Sequence, residues 1–237
     1  MGASGADPSI IRVFSGGAPQ RPLSYILPEF ERATGLRVDI SYQIVSQLQE
    51  RVIGGDFPDL ILAPAQVVSA ISEKVALLPE GSTSLARVGV GVIVAEGAKC
   101  PDVSSEAAFR SALHRARAIV LADPRTPSGK HLNAMLDRIG LADELRGRLI
   151  HKGAIHGGGE LVATGAADIG LFVVSEVKFI AGVRVAGPLP SSLQQDIVYT
   201  TAIPQAASTP ENALALIRHL KGPGSAEQWA DGGFQPA

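Results

Sequence analysis

Residues 10–75 constrain the fold most, because they hold three short apolar runs, each stopped by a turn and followed by a segment with helical spacing. The first run is Ile10-Ile11-Arg12-Val13-Phe14, stopped at Ser15-Gly16-Gly17. Behind it Leu23, Ile26, Leu27 and Phe30 fall at i, i+3, i+4 and i+7, the one-face spacing of an amphipathic helix. Thr34-Gly35 closes that helix, Leu36-Arg37-Val38-Asp39-Ile40-Ser41-Tyr42 alternates as a strand does, and residues 45–53 give a second short helix. Gly54-Gly55-Asp56-Phe57-Pro58 turns the chain into a buried strand, Asp59-Leu60-Ile61-Leu62, and Pro64 opens a helix reaching Val75. Strand and helix in regular alternation predict an α/β fold, with a parallel sheet covered by helices.

The pattern then changes. Residues 87–95 are expected as one long strand with glycines at alternate positions, suited to crossing from one lobe to another. Residues 104–116 read as a helix, 118–122 as a strand, and 128–139 as a helix ended by Gly140. A strand over 148–152, a glycine turn, a helix over about 158–164 and a buried strand over 168–174 complete a second α/β unit. Residues 195–203 are extended and read as the return crossing. Ser208-Thr209-Pro210-Glu211 has the S-x-x-E form of a capping box, with Leu216, Ile217 and Leu220 behind it and Gly222-Pro223 as a stop; Ser225 with Gln228 repeats the pattern. The expected organisation is two lobes joined by two crossing strands. Lobe I comprises residues 1–86 and 204–237, and lobe II residues 87–203.

Composition excludes several functions. The 237 residues are 46% hydrophobic and 5% aromatic, enough for a sizeable core, and the net charge is −2 without any stripe of lysine or arginine. Nucleic acid is therefore not expected as a partner, since phosphate neutralisation needs concentrated basic charge. Cys100 is the single cysteine, so no disulfide or thiolate zinc site forms within the chain, and the five histidines have no metal-ligand spacing. Neither metal nor cofactor is expected. No apolar run is long enough to span a membrane, and residues 1–9 show no basic n-region or apolar h-region. The expected location is periplasmic if a leader was trimmed and cytoplasmic if Met1 is the native start.

Catalytic motifs are tested and mostly fail. Pro124-Arg125-Thr126-Pro127-Ser128-Gly129-Lys130-His131 ends like a P-loop but lacks glycine at 124 and Ser or Thr at 131. Neither Gly89-Val90-Gly91 nor Gly157-Gly158-Gly159 supplies a dinucleotide fingerprint, and there is no G-x-S-x-G elbow. What remains is a set of turns at helix beginnings: Ser15 to Ala18, the stretch near Ser46, and Ser128 with His156. Such turns offer unpaired N–H groups and a favourable dipole to a small anion. Lys130 is a candidate ligand cation, although a solvated helix lysine is the plainer reading. His156 is a candidate donor to an anion, or an acid or base.

These motifs, in their order, resemble the periplasmic molybdate-binding proteins and the wider type II solute-binding proteins of ABC transporters. The resemblance runs through Ile11-Arg12-Val13-Phe14, Phe30-Glu31-Arg32-Ala33-Thr34-Gly35, Pro58-Asp59-Leu60, Ala122-Asp123-Pro124 with Pro127-Ser128-Gly129, Gly165-Ala166-Ala167-Asp168-Ile169-Gly170, and Lys221-Gly222-Pro223 with Ala226 and Gly233-Phe234. It implies a two-lobed type II periplasmic-binding-protein-like fold closing over a ligand, a small-molecule anion as that ligand, and an ABC transporter permease as partner. A monomer is expected. The family's molybdate contacts align with Ala18, Val45, Ser128, Ile155 and Val173. At these positions two serine hydroxyls and a tyrosine hydroxyl are gone, although Ser15 and Ser46 lie nearby. Each donor withdrawn from a buried oxyanion site leaves charge poorly paired, at roughly 1–3 kcal/mol.

The expected ligand-binding set is therefore Ser15, Gly16, Gly17, Ala18, Val45, Ser46, Ser128, Lys130, Ile155, His156, Gly157 and Val173, with an organic acid favoured over a molybdate-type oxyanion. The alternative is a cytoplasmic enzyme, an isomerase or hydrolase of a small carboxylate, with His156 as acid or base assisted by Lys130 or Glu160. A ligand-sensing module is a third reading. The segments near Gly89 and Tyr199 are the expected hinges.

Overall fold

A computed structural model describes residues 7–237, so the first six residues of the expected lobe I lie outside it. β1 (Ile10–Gly16) is followed by α1 (Gln20–Thr34), which buries Leu23, Ile26, Leu27 and Phe30 as their spacing predicts. Gly35 ends α1 at φ 73°, a left-handed conformation open to glycine without a Cβ penalty. β2 (Arg37–Gln43), α2 (Val45–Ile53), β3 (Leu60–Pro64) and α3 (Ala65–Ser72) continue the alternation. β1 pairs in parallel with both β2 and β3, with Gly16 opposite Gln43 and Val13 opposite Leu60. Phe14, Leu48, Val52, Ile61, Val67, Val68 and Ile71 pack between this sheet and its helices.

Next comes β4 (Leu77–Val88), a strand absent from the sequence reading because Pro79-Glu80-Gly81-Ser82 breaks any apolar alternation. The long strand expected over 87–95 is in fact two, with Gly89 between β4 and β5 (Val90–Ala95). A Cβ on Gly89 would stand 2.7 Å from Gln194 Nε2. The Gln194 amide exchanges two hydrogen bonds with Val90, donating to its carbonyl at 2.8 Å and accepting from its N–H at 3.0 Å. A side chain thus takes the place of a neighbouring strand where β5 begins.

The second unit continues with α4 (Glu106–Arg115), β6 (Ile119–Leu121), α5 (Pro127–Arg138), α6 (Ala142–Leu145), β7 (Leu149–His151), α7 (Gly158–Ala163), β8 (Ile169–Val173), α8 (Val174–Val177) and β9 (Val183–Pro188). Its sheet has the order β7-β6-β8-β5-β9, with β6 parallel to β7 and β8, and β5 antiparallel to β8 and β9. Phe109, Leu113, Leu132, Met135, Leu171 and Phe172 are among its fully buried residues. Burying each such side chain contributes about 1.5–3 kcal/mol.

β10 (Ile197–Pro204), α9 (Pro210–Lys221), α10 (Ala226–Asp231) and β11 (Gln235–Pro236) complete the chain. The first sheet has the order β11-β4-β10-β3-β1-β2, with β10 antiparallel to β3 and β11 antiparallel to β4, so it is mixed rather than wholly parallel. The chain divides into two units, one running to Arg87 and resuming at Ile197, the other Val88–Asp196. Residues 197–203, expected in lobe II, belong to β10 of the first sheet, where Tyr199 to Ala202 pair with β3. The capping boxes also differ. Thr209 is the N-cap of α9 and uses no side chain; the N–H groups of Ser208 and Thr209 donate to Asp59. Ser225 Oγ donates to the His219 carbonyl rather than capping α10.

Candidate ligand-binding turns

In the first unit the expected residues gather where β1 and β2 end. Gly16 closes β1 opposite Gln43, and α2 begins two residues later at Val45. A Cβ on Gly16 would meet Val45 Cγ1 at 3.3 Å and the Tyr199 hydroxyl at 3.4 Å. A methyl group there would fit only if Val45 gave by a few tenths of an ångström. Gly17 is exposed with open space around it, and Ala18 and Pro19 are buried ahead of α1. Ser15 is fully buried, and its hydroxyl donates to the Gly16 carbonyl at 2.8 Å, so it shapes the turn. Ser46 is exposed on the first turn of α2, and neither α1 nor α2 has a side-chain cap. Neither N-cap residue, Pro19 or Ile44, can cover the N–H groups that the first turn of a helix leaves open. Tyr199, on β10, was missed as a neighbour of this turn because it reaches Gly16 only through the β10–β3 pairing.

In the second unit the expected residues follow the C-terminal ends of β7, β6 and β8. β6 leads through Asp123 to α5, whose N-cap Thr126 accepts from Gly129 N–H at 3.1 Å and lies 3.2 Å from the Ser128 hydroxyl. Ser128 is buried and Lys130 exposed. A Cβ on Gly129 would stand 1.9 Å from the Asp123 carbonyl, so no other residue fits. Arg125 grips Asp123 at 2.6 Å and holds its carboxyl down at a pKa of about 2.

β7 leads to a short 3-10 turn, Ala154–His156, ahead of α7. The Ile155 side chain lies outside what the structure describes. His156 and Glu160 are exposed, and Gly157 has φ 96°. The Lys152 ammonium approaches within 2.8 Å of a Cβ position on Gly157, bringing a positive charge to this glycine turn. Lys152 was overlooked in the sequence, where only its place between a strand and a glycine run marks it. His151 contacts Asn133 Oδ1 at 3.0 Å, and Asn133 Nδ2 donates to the Gly129 carbonyl at 2.8 Å, tying β7 to α5. Val173 is buried at the end of β8, followed by Ser175, whose buried hydroxyl has no partner among the described residues, and Glu176, whose carboxyl burial pushes up to about 7.

Two α/β units, each gathering glycine turns and helix beginnings at the C-terminal edge of its parallel strands, define the class of type II periplasmic binding proteins. The chain belongs to the bacterial extracellular solute-binding proteins, whose family model matches residues 11–235. That family binds small anions and works with ABC transporters. The fold is shared, at a TM-score of 0.83 and 15% identity over 96% of this chain and 99% of the other, with a substrate-binding domain attributed to a molybdenum ABC transporter of Clostridium difficile. Among curated relatives, an aconitate isomerase of Pseudomonas is 25% identical over 95% of this chain and 87% of its own length. The molybdate-binding protein ModA of Azotobacter vinelandii is 28% identical over 87% of this chain and 82% of its own.

Proposed function

We propose that this solute-binding protein captures a small organic anion, a carboxylate rather than molybdate. One observation carries the reading: the turn after β1 presents the first backbone N–H groups of α1, with the apolar side chains of Ala18 and, from α2, Val45 beside it, while the Ser15 hydroxyl is committed to the Gly16 carbonyl. A tetrahedral oxyanion stripped of water needs a donor for every oxygen, whereas a carboxylate needs donors at one end and tolerates apolar walls at the other. In the second unit Ser128, the first N–H groups of α5 and the Lys152 ammonium are that unit's own candidate groups for an anion, and Val173 is buried at the end of β8. Lys130, His156 and Gly157 complete the set in this reading, and the ligand reaches a transporter permease.

The test is thermal denaturation with di- and tricarboxylates, molybdate, tungstate and sulfate, because a ligand that binds only the folded state raises Tm by mass action. A carboxylate that raises Tm while molybdate does not is the expected result. Stabilisation by molybdate alone overturns the reading.

The similarity to aconitate isomerase along almost the whole chain favours a second reading, an isomerase of a small unsaturated tricarboxylate. Moving a double bond requires a group that removes and returns a proton, and His156, exposed beside the glycine turn, is the candidate. Incubation with cis- or trans-aconitate, followed by chromatography, separates the two readings. Turnover that is lost in His156→Ala while binding persists supports the enzyme.

A further inference from the structure

We infer that the second unit carries a separate pocket for a small organic anion with an apolar body, at the sheet edge opposite the turns described above. β6 and β8 run in parallel with Ile119 opposite Ile169 and Leu121 opposite Leu171. Ser128 and Val173 therefore follow one end of these strands, and Ile169 starts at the other. Across the five residues of β8 the two edges stand about 13–16 Å apart. At the Ile169 edge, between the end of β5, the last turn of α4 and the loop over 165–168, opens a cavity of about 810 Å³. That volume falls in the range of small-molecule sites, about 300–1,000 Å³.

The floor of the cavity is apolar, formed by the buried side chains of Val94, Ala112, Ala116 and Ile169. Its rim carries three cations, Lys99, Arg115 and Arg117, and two carboxylates, Asp102 and Asp168. Both carboxylates are already engaged. Asp168 accepts from Arg117 through the guanidinium at 2.6 and 3.2 Å and through the backbone N–H at 2.6 Å. Asp102 accepts from the Ser104 hydroxyl at 2.7 Å and its N–H at 2.9 Å, which hold its pKa below the usual carboxylate value. Among the described residues Arg115 donates only to the neutral Ser111 hydroxyl, at 2.5 Å, and Lys99 has no carboxylate partner. Ser104 is neutral and leaves the Asp102 charge in place, so the rim carries one net positive charge over an apolar floor. Neither Lys99 nor Arg115 is ion-paired among the described residues, a setting that suits a single carboxylate, sulfonate or phosphate head on a small apolar body. Exposed ion pairs contribute little by themselves, so the floor supplies part of the affinity.

Cys100, the chain's single cysteine, lines this cavity and is exposed, so thiol chemistry reports on this pocket alone. The test compares the reaction of Cys100 with the dianionic disulfide dithiobis(nitrobenzoate) and with neutral dithiodipyridine, in the full chain and in Lys99→Ala/Arg115→Ala. The dianionic reagent is expected to slow about fivefold or more relative to the neutral one in the double variant at low salt, and an unchanged Tm certifies an intact fold. Naphthalenesulfonate is expected to protect Cys100 from the neutral reagent, saturably in the wild type and not in the variant. Equal slowing of both reagents, absence of protection in the wild type, or protection that persists in the variant overturns the inference. None of these readouts depends on which ligand the turns at the opposite edge capture.

Discussion

Asp59 Oδ1 accepts a hydrogen bond from the backbone N–H of Thr209 at 2.8 Å, across 150 residues of sequence. The same oxygen accepts from Ser208 N–H at 2.8 Å, and Oδ2 from Arg12 N–H at 2.9 Å. One buried carboxylate therefore caps α9 and joins it to β1 and β3. Asp59→Ala leaves three N–H groups without their acceptor, and the first unit is expected to lose about 3 kcal/mol or more. Asp59→Asn keeps one acceptor and should lose about 1–2 kcal/mol. Urea denaturation checks both, with a lowered midpoint and an unchanged m-value expected.

Gly129 and Gly17 separate a glycine that packing demands from one that packing leaves open. Gly129→Ala drives a methyl group into the Asp123 carbonyl, 1.9 Å away, and a loss of about 3 kcal/mol or more is expected for the second unit. Gly17→Ala meets nothing within 4 Å and should leave stability within about 1 kcal/mol of wild type. If the turn receives the ligand, Gly17→Ala nevertheless weakens binding, because its methyl group occupies the space a ligand enters. Thermal melts with and without the stabilising carboxylate measure both effects.

Glu176 predicts a pH dependence of stability. Its folded pKa is raised from the ordinary 4.5 to about 7 by burial, so between those values the native state holds a proton that the unfolded chain has released. Stability therefore falls as pH rises from about 4.5 to about 7 and levels off above. Glu176→Gln should remove that slope and stabilise the protein by about 1–2 kcal/mol at pH 8, less than the full shift implies because the residue is not wholly buried. Chemical denaturation at several pH values checks it.

Tyr199 and Lys152 are the two side chains that the structure adds to the candidate turns. Tyr199→Phe should weaken carboxylate binding by up to about tenfold, the range of one neutral hydrogen bond. Lys152→Gln should weaken it by about tenfold at low salt and less at high salt. Calorimetric titration with the stabilising carboxylate measures both, and an unchanged Kd in either variant removes that residue from the site.

The parts of the fold legible in the sequence are those that local chemistry dictates. The Leu23, Ile26, Leu27 and Phe30 spacing fits one buried face of α1, and Gly35 satisfies the left-handed end of that helix by lacking a Cβ. The strand–turn–helix pattern that marked the candidate turns is local too, and the order of the motifs pointed to the family.

What only the tertiary structure decided depends on partners far away in the chain. β4 and β9 have little apolar alternation of their own and become strands because neighbouring strands supply their hydrogen bonds. α9 looked self-capped, yet a carboxylate on the strand-entry turn at residue 59 outcompetes its own serine. Tyr199 reaches Gly16, and Lys152 reaches Gly157, only once sheet pairing and turn conformation fold them together. Side-chain period and backbone stereochemistry act within a few residues and are written in the sequence. Pairing between strands and capping across the sheet are set by packing the whole unit, and the chemistry at its edges follows from that packing.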